Sequence, residues 1–420
     1  MLKKWSKKYH NLCKSLSSLI NQKNFFLLLV FFTVVKIIFS NFFGDKILVE
    51  EWAIIINNLN NHQTLGYHTL NDRVIPSVYM PPLYVYIIYF VHLANFNELI
   101  NVKIILFLQC AVSGISIYYF FKILKLYFNE KISLLISLAY FFYPLNFYSS
   151  SQISSVSFQV SFFIFFLYFF LTAKTQKQFF LLGVFSGLMT LIRGEFWLLL
   201  VLLFFLKIFK KNILFKNFVI TLATLIIIIS PTLIRNYVTF EQVILTKSSG
   251  YNLWRGNSKT FNVNGELSDT GNTLELKRNL KKELFQKNEI QKYEIIIDNY
   301  YFKIALKNIL KDPSKYFLHY IKKLFSYVIF NPFSNYPNYF HPLVVIPEIL
   351  ISLIAMAGII KNIFSKDRNY EILLITLYYL FIIPVFFVLP RYKLFILPLY
   401  YIFISYFLAF LYKRIFSKKQ

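Results

Sequence analysis

Cysteine is scarce in this chain. There are two in 420 residues, Cys13 in a basic amino-terminal stretch and Cys110 inside a long apolar run. Thiols so placed are not expected to pair, which excludes a disulfide framework. Histidine is scarce as well. His10, His62, His68, His92, His319 and His341 never fall into a His-x-x-x-His arrangement, although His62 and His68 share a loop. No cofactor is therefore expected, and a divalent metal, though chemically open, has no ligand pattern behind it. Charge is low at 15%, and acids are rarest, 19 against 45 Lys and Arg, for a net charge of +26. There is no internal repeat and no low-complexity linker. No small-residue cleavage pattern follows the first apolar run, so the basic start (Lys3, Lys4, Lys7, Lys8, Lys14) reads as leading into a retained span.

What is abundant is apolar. The chain is 57% hydrophobic and 20% aromatic, with a mean hydropathy of +0.53, and soluble domains are rarely so apolar. Its long runs reach the roughly 20 residues a bilayer crossing needs. The expectation is an all-α polytopic membrane protein with about ten crossings, near 24–40, 81–97, 101–122, 131–149, 154–173, 178–206, 216–235, 343–361, 370–389 and 393–413. In that setting the excess of lysine marks cytoplasmic loops, and no nucleic-acid partner is expected, because no basic-aromatic soluble module exists.

The positive-inside rule places the amino terminus, the loops 207–216 and 361–368 and the carboxyl terminus inside, and residues 41–80 and 236–342 outside. That count leaves Lys122, Lys125, Lys174 and Lys177 on the wrong side. The sixth run holds Arg193-Gly194-Glu195, which signals a broken helix. It reads as one kinked span or two half-length helices, and parity favours one net crossing. The organisation expected is a transmembrane module over 1–235 with its first outer loop at 41–80, an outer loop region over 236–342, and carboxyl-terminal transmembrane helices over 343–420.

The chemistry is concentrated after the first span. Asp45, Glu50 and Glu51 stand just outside it. A carboxylate there can act as general base towards a hydroxyl, and a helix start favours its ionised form. Simple capping is the plainer alternative. Met80-Pro81-Pro82-Leu83-Tyr84 opens the second run, with prolines where missing amide donors cost least. Arg193 and Glu195 form either an internal ion pair or, through the guanidinium, an anion site. Arg235, at the end of the Ser230–Tyr237 stretch, and Arg391 with Lys393, between the last two runs, are further cations on the outer side. They suit a lipid phosphate or serve as interfacial anchors. Tyr79, Tyr84 and Trp254 are the aromatic candidates beside these charges.

Taken in order, these pieces resemble the membrane glycosyltransferases of the GT-C fold, and most of all the bacterial branch related to dolichyl-phosphate-mannose protein mannosyltransferases and aminoarabinose lipid A transferases. The resemblance rests on the acids after the first span, Ile55-Ile56-Asn57-Asn58-Leu59, Met80 to Tyr84, Leu191 to Glu195, Pro231 to Tyr237, Gly250 to Asn257 and Arg391-Tyr392. It implies a GT-C-like fold and an inverting hexosyl- or pentosyltransferase in the cytoplasmic membrane of a bacterium, acting at the outer face in cell-envelope glycan biosynthesis. The donor it implies is a polyprenyl-phosphate-linked sugar, and the acceptor is a lipid, glycan or protein hydroxyl. Glu51, Glu50 or Asp45 would be the base, with Glu51 ranked first for its place before Trp52. Arg193, Arg235, Arg391 and Lys393 would hold the phosphate, and Tyr79, Tyr84 and Trp254 would line the sugar or lipid cleft. The chain departs from this pattern at Ser149 to Ser157, serine-rich where relatives often carry an acid. A transporter or flippase of lipid-linked glycan is the rival reading, and a polysaccharide polymerase or ligase ranks below it.

Overall fold

The computed structural model describes residues 22–71, 73–209, 214–258, 262–265, 271–365 and 369–416. Among these the chain is a helical bundle with one small hairpin. Its helices are α1 (Gln22–Phe43), α2 (Glu50–His62), α3 (Pro82–His92), α4 (Glu98–Leu124), α5 (Glu130–Phe141), α6 (Pro144–Ser149), α7 (Val156–Thr172), α8 (Gln176–Ile192), α9 (Phe196–Phe209), α10 (Phe215–Phe240), α11 (Ser249–Gly256), α12 (Gly271–Gln286), α13 (Tyr293–Lys311), α14 (Pro313–Val328), α15 (Pro342–Ile363), α16 (Tyr370–Ile382) and α17 (Pro390–Phe416). The antiparallel hairpin joins β1 (His68–Leu70) and β2 (Arg73–Ile75), with Thr69 opposite Val74.

Five helices, α1, α4, α10, α15 and α17, are each long and apolar enough to cross a membrane. The shorter apolar helices α7, α8, α9 and α16 run beside them. Side-chain contacts give the directions. Phe25 meets Phe121 and Cys110 meets Ser40, so α1 and α4 are antiparallel. Gly183 packs on Thr224 and Gly187 on Ile228, so α8 and α10 are parallel. Glu348 pairs with Lys393 and Gly358 packs on Phe403, so α15 and α17 are parallel.

Ten passes run end to end, as expected, but they are not the expected ten. The run 81–97 makes only α3, 11 residues or about 16 Å. It begins and ends at one end of the bundle: Ser77 is held by Arg235 near the end of α10, and Glu98 accepts from the Leu48 amide just past α1. The run 178–206 supplies the missing pass. Arg193-Gly194-Glu195 is a turn, not a kink; α8 arrives beside Gln159 at the start of α7, and α9 returns to place Lys207 against the Phe170 carbonyl near its end. The parity argument for one net crossing of this run is therefore corrected. The same change puts Lys125, Lys174 and Lys177 at the end of the bundle that also holds Lys207, Lys216, Lys361 and Arg414, so the basic loops gather at one end after all. The first loop and the 241–341 region lie at the opposite end.

One buried charge sits inside α1. Lys36 is 1% exposed, donates to Ser113 Oγ and the Asn146 carbonyl, and lies over Phe141 and Phe147. No carboxylate bonds it among the described residues.

Candidate active site

The site is built where the first loop meets the 241–341 region. Gly44 turns the chain out of α1. A methyl group there would lie 2.3 Å from the Ser40 carbonyl and 2.7 Å from that of Ser151, so the close approach requires glycine. The next residue, Asp45, is fixed from both sides by the serine-rich loop. Its amide donates to the Ser151 carbonyl (3.0 Å) and its Oδ2 accepts from the Ile153 amide (2.6 Å). The serine-rich segment thus holds Asp45 through its backbone.

Helix α2 starts at Glu50 without a side-chain cap. The free amides of its first turn favour an anion, and Glu51 lies in that turn. The Glu50 side chain lies outside the described residues. Trp52 packs edge-on against Tyr84 at 4.9 Å, and the Tyr84 hydroxyl donates to Gln109, so Tyr84 is a buried prop of the site and not a wall of a cleft.

The loop leading to Met80-Pro81-Pro82 is shaped by Glu294 of α13. One carboxylate oxygen accepts from Ser77 Oγ (2.9 Å), the Val78 amide (2.7 Å) and the Tyr79 amide (2.9 Å). Burial pushes the Glu294 carboxyl above its ordinary range, against the pull of these three donors. Arg235 holds the same loop by the Ser77 and Leu65 carbonyls. Tyr79 then projects from it towards Tyr251, ring to ring at 5.8 Å. Its hydroxyl is held above its ordinary range, first by burial and then by Tyr251, with Glu51 adding to the effect and Arg255 opposing it.

Helix α11, the Gly250–Asn257 motif, is wedged between α13 and the chain before α17. A methyl on Gly250 would lie 2.0 Å from the Asp298 carbonyl, and one on Gly256 2.0 Å from that of Phe386. Both glycines therefore serve close backbone contact. Trp254 stacks on Tyr301 at 4.3 Å inside this wedge.

Arg391 is the exposed cation of the group. It reaches water but is walled by protein, with Tyr336, Tyr392 and Glu51 within electrostatic reach. Tyr336 in turn is within electrostatic reach of Tyr148, and Tyr148 of Asp45. A chain of electrostatic contacts thus links Asp45, Glu51, Tyr79 and Arg391 through Tyr148, Tyr251, Tyr336 and Tyr392. A cavity of about 490 Å³ is lined by Asn262, Val263, Lys322, Phe333, Ser334 and Asn335.

The other cations are engaged elsewhere. Arg193 is ion-paired with Glu195, bonds Gln159 and lies over Phe395. Lys393, 3% exposed, is bonded to Glu348 and to the Ile329 carbonyl. Among the described residues no three His, Cys, Asp or Glu side chains come together as metal ligands would. Sequence reasoning missed Glu294, Tyr148 and Tyr336. Glu294 lies 217 residues from Ser77, and no local pattern links them.

The comparisons agree with this architecture. Residues 80–234 match the family model described as dolichyl-phosphate-mannose-protein mannosyltransferase. Over 94% of its length the chain resembles an oligosaccharyltransferase of Archaeoglobus fulgidus solved with a tethered acceptor peptide containing the NVT sequon (13% identity, TM-score 0.55). It also resembles the archaeal oligosaccharyltransferase AglB from Archaeoglobus fulgidus in complex with an inhibitory peptide and a dolichol-phosphate (14% identity, TM-score 0.51, 95% of this chain). The chain spans about half of each, 50% and 51%. No curated protein matches. Fold and matched segment together define the class, a multi-pass membrane protein of the GT-C glycosyltransferase fold. Within that class the segment that matches a family model carries the description of the mannosyltransferases just named.

Proposed function

We propose that this chain transfers a sugar from a polyprenyl-phosphate donor to a hydroxyl of a lipid, glycan or protein acceptor, with inversion, at the outer face of a bacterial cytoplasmic membrane. The observation that carries the proposal is that Glu51 lies within electrostatic reach of both Tyr79 and the exposed Arg391. Glu51, favoured as an anion by the start of α2, takes the acceptor proton; Asp45 is the second candidate and Glu50 the third. Arg391 stabilises the charge that develops on the leaving phosphate, as a guanidinium does with two parallel hydrogen bonds. A single displacement of this kind needs no covalent intermediate. Arg193, Arg235 and Lys393 hold the scaffold in this reading, Tyr79 and Trp254 shape the sugar side, and the cavity lined by Asn262, Lys322 and Asn335 gives room to the acceptor. The gathering of basic loops at the opposite end supports an outward-facing site.

The test is release of label from a panel of radiolabelled undecaprenyl-phosphate sugars, hexoses and pentoses, by purified protein in detergent. Glu51→Gln is expected to slow transfer about 10²–10⁴-fold. Arg391→Ala is expected to lower kcat, with partial recovery in Arg391→Lys. Unchanged rates in Glu51→Gln and Asp45→Asn would remove the base assignment. No release with any donor, together with movement of lipid across reconstituted vesicles, would favour a flippase instead.

A further inference from the structure

Helix α14 is built inside out. Its protein-facing side carries Tyr316, His319, Lys323, Ser326 and Tyr327, all 8% exposed or less. Its outward side carries Phe317 (63% exposed), Leu318 (61%), Ile321 (42%) and Phe325 (48%), with exposed Lys322 at its edge, on the cavity lined by Asn262 and Asn335. Phe317, Ile321 and Phe325 recur every four residues, so they form one stripe. A helix at a water surface has the reverse arrangement.

Its depth agrees with this. The Ile329 carbonyl, just past its end, accepts from Ser352 Oγ at 3.1 Å. Ser352 is the eleventh residue of the 22-residue α15. That helix is about 33 Å long, close to the thickness of a hydrocarbon core, so its middle lies inside the core. Val328 likewise accepts from the Tyr400 hydroxyl of α17 at 3.2 Å. Helix α14 thus descends from the 241–341 region into the bilayer.

The preceding corner is patterned for the boundary above it. On α13, Phe302, Leu306 and Leu310 form an exposed apolar stripe, and Lys303, Lys307 and Lys311 form an exposed basic stripe beside it. Exposed Lys315 follows on the first turn of α14. None of these four lysines makes an ion pair among the described residues.

We infer that α14 is a lipid-embedded wedge and that the α13–α14 corner binds anionic lipid head groups. The apolar stripes enter the acyl region, and Lys303, Lys307, Lys311 and Lys315 meet the phosphates, as basic residues at a bilayer surface do. The inner side of the wedge bears on the site. Lys323, fully buried, donates to the carbonyls of Gly256 (2.9 Å), Val385 (3.3 Å) and Phe386 (2.7 Å) and to Asn257 Oδ1 (3.1 Å). The lipid contact is thereby tied to α11 and to the chain that leads to Arg391. This inference does not depend on the transfer reaction.

The experiment uses the full chain with Cys13→Ser, reconstituted in phosphatidylcholine nanodiscs with or without phosphatidylglycerol. An environment-sensitive fluorophore is placed at Leu318→Cys or, as a water-exposed comparison on α12, at Lys282→Cys. Lipids brominated on the acyl chain are expected to quench the first and aqueous iodide the second. Quenching at position 318 by iodide, or by neither agent, would overturn the wedge; the latter would mean that protein, such as a second copy, covers this face. Phosphatidylglycerol retained on the purified protein, read by native mass spectrometry, is expected to fall about tenfold when the four lysines are changed to Ala, with phosphatidylcholine unchanged. Equal retention would overturn the head-group site.

Discussion

Lys393 and Glu348 have side chains 4% and 1% exposed and bond each other at 3.0 Å, so removal of either leaves a charge stranded in the bundle. Lys393→Met is expected to cost about 3–5 kcal/mol, read as loss of thermal stability in detergent, and Glu348→Gln in the same chain to recover much of it. Gly250→Ala should also destabilise, because the added methyl meets a backbone carbonyl that cannot yield easily. The Arg193–Glu195 pair was legible in the sequence, since the two charges share one apolar run two residues apart. Lys393 was legible only as a cation, because its partner lies 45 residues away. Likewise the glycines of the Gly250–Asn257 motif stood out, but their reason, contact with Asp298 and Phe386, belongs to tertiary structure. Asp45 and Glu51 were visible as acids after a span. Their neighbours Tyr148 and Tyr336 were not, because a tyrosine near an apolar run is ordinary.

At the scale of elements, the β-hairpin is expected to loosen in acid. His68 sits edge-on to Tyr293 at 5.5 Å. Its pKa is lowered to about 4 by burial first, then by Lys281 and Lys277. The folded value lies below the ordinary value of 6.5, so the neutral ring is what the folded state favours. The stability it supports is present above pH 6.5 and falls progressively between pH 6.5 and about 4. Hydrogen-exchange protection of the hairpin amides, corrected for the intrinsic rate, should therefore fall from pH 7 to pH 5, and His68→Gln should flatten that dependence. The break between α8 and α9 was legible because charge and glycine interrupt an apolar run. The fate of 81–97 was not. Its apolar length suits a crossing, and only the pinning of Ser77 and Glu98 at one end of the bundle shortens it to α3. Helix α14 was legible as a helix start at Asp312-Pro313, but which stripe faces protein depends on what packs beside it.

For the whole molecule, the number of passes was readable from hydropathy, and the identity of two of them was not. Single cysteines at Lys125, Lys177 and Lys361 should all react with an impermeant thiol reagent from the same face of sealed vesicles, and one at Lys282 only from the other. Labelling of position 125 or 177 together with 282 would restore the ten spans first drawn from the sequence. The assembled bundle also constrains how it is made. Lys36 sits in the first span, where an unpartnered lysine weakens translocon insertion by about 2.5–3.5 kcal/mol. Its hydrogen-bond acceptors, Ser113 and Asn146, are 77 and 110 residues downstream. More than 100 further residues must therefore be made before that amine is fully coordinated, so the lysine gains its partners only when α4 and α6 pack against α1.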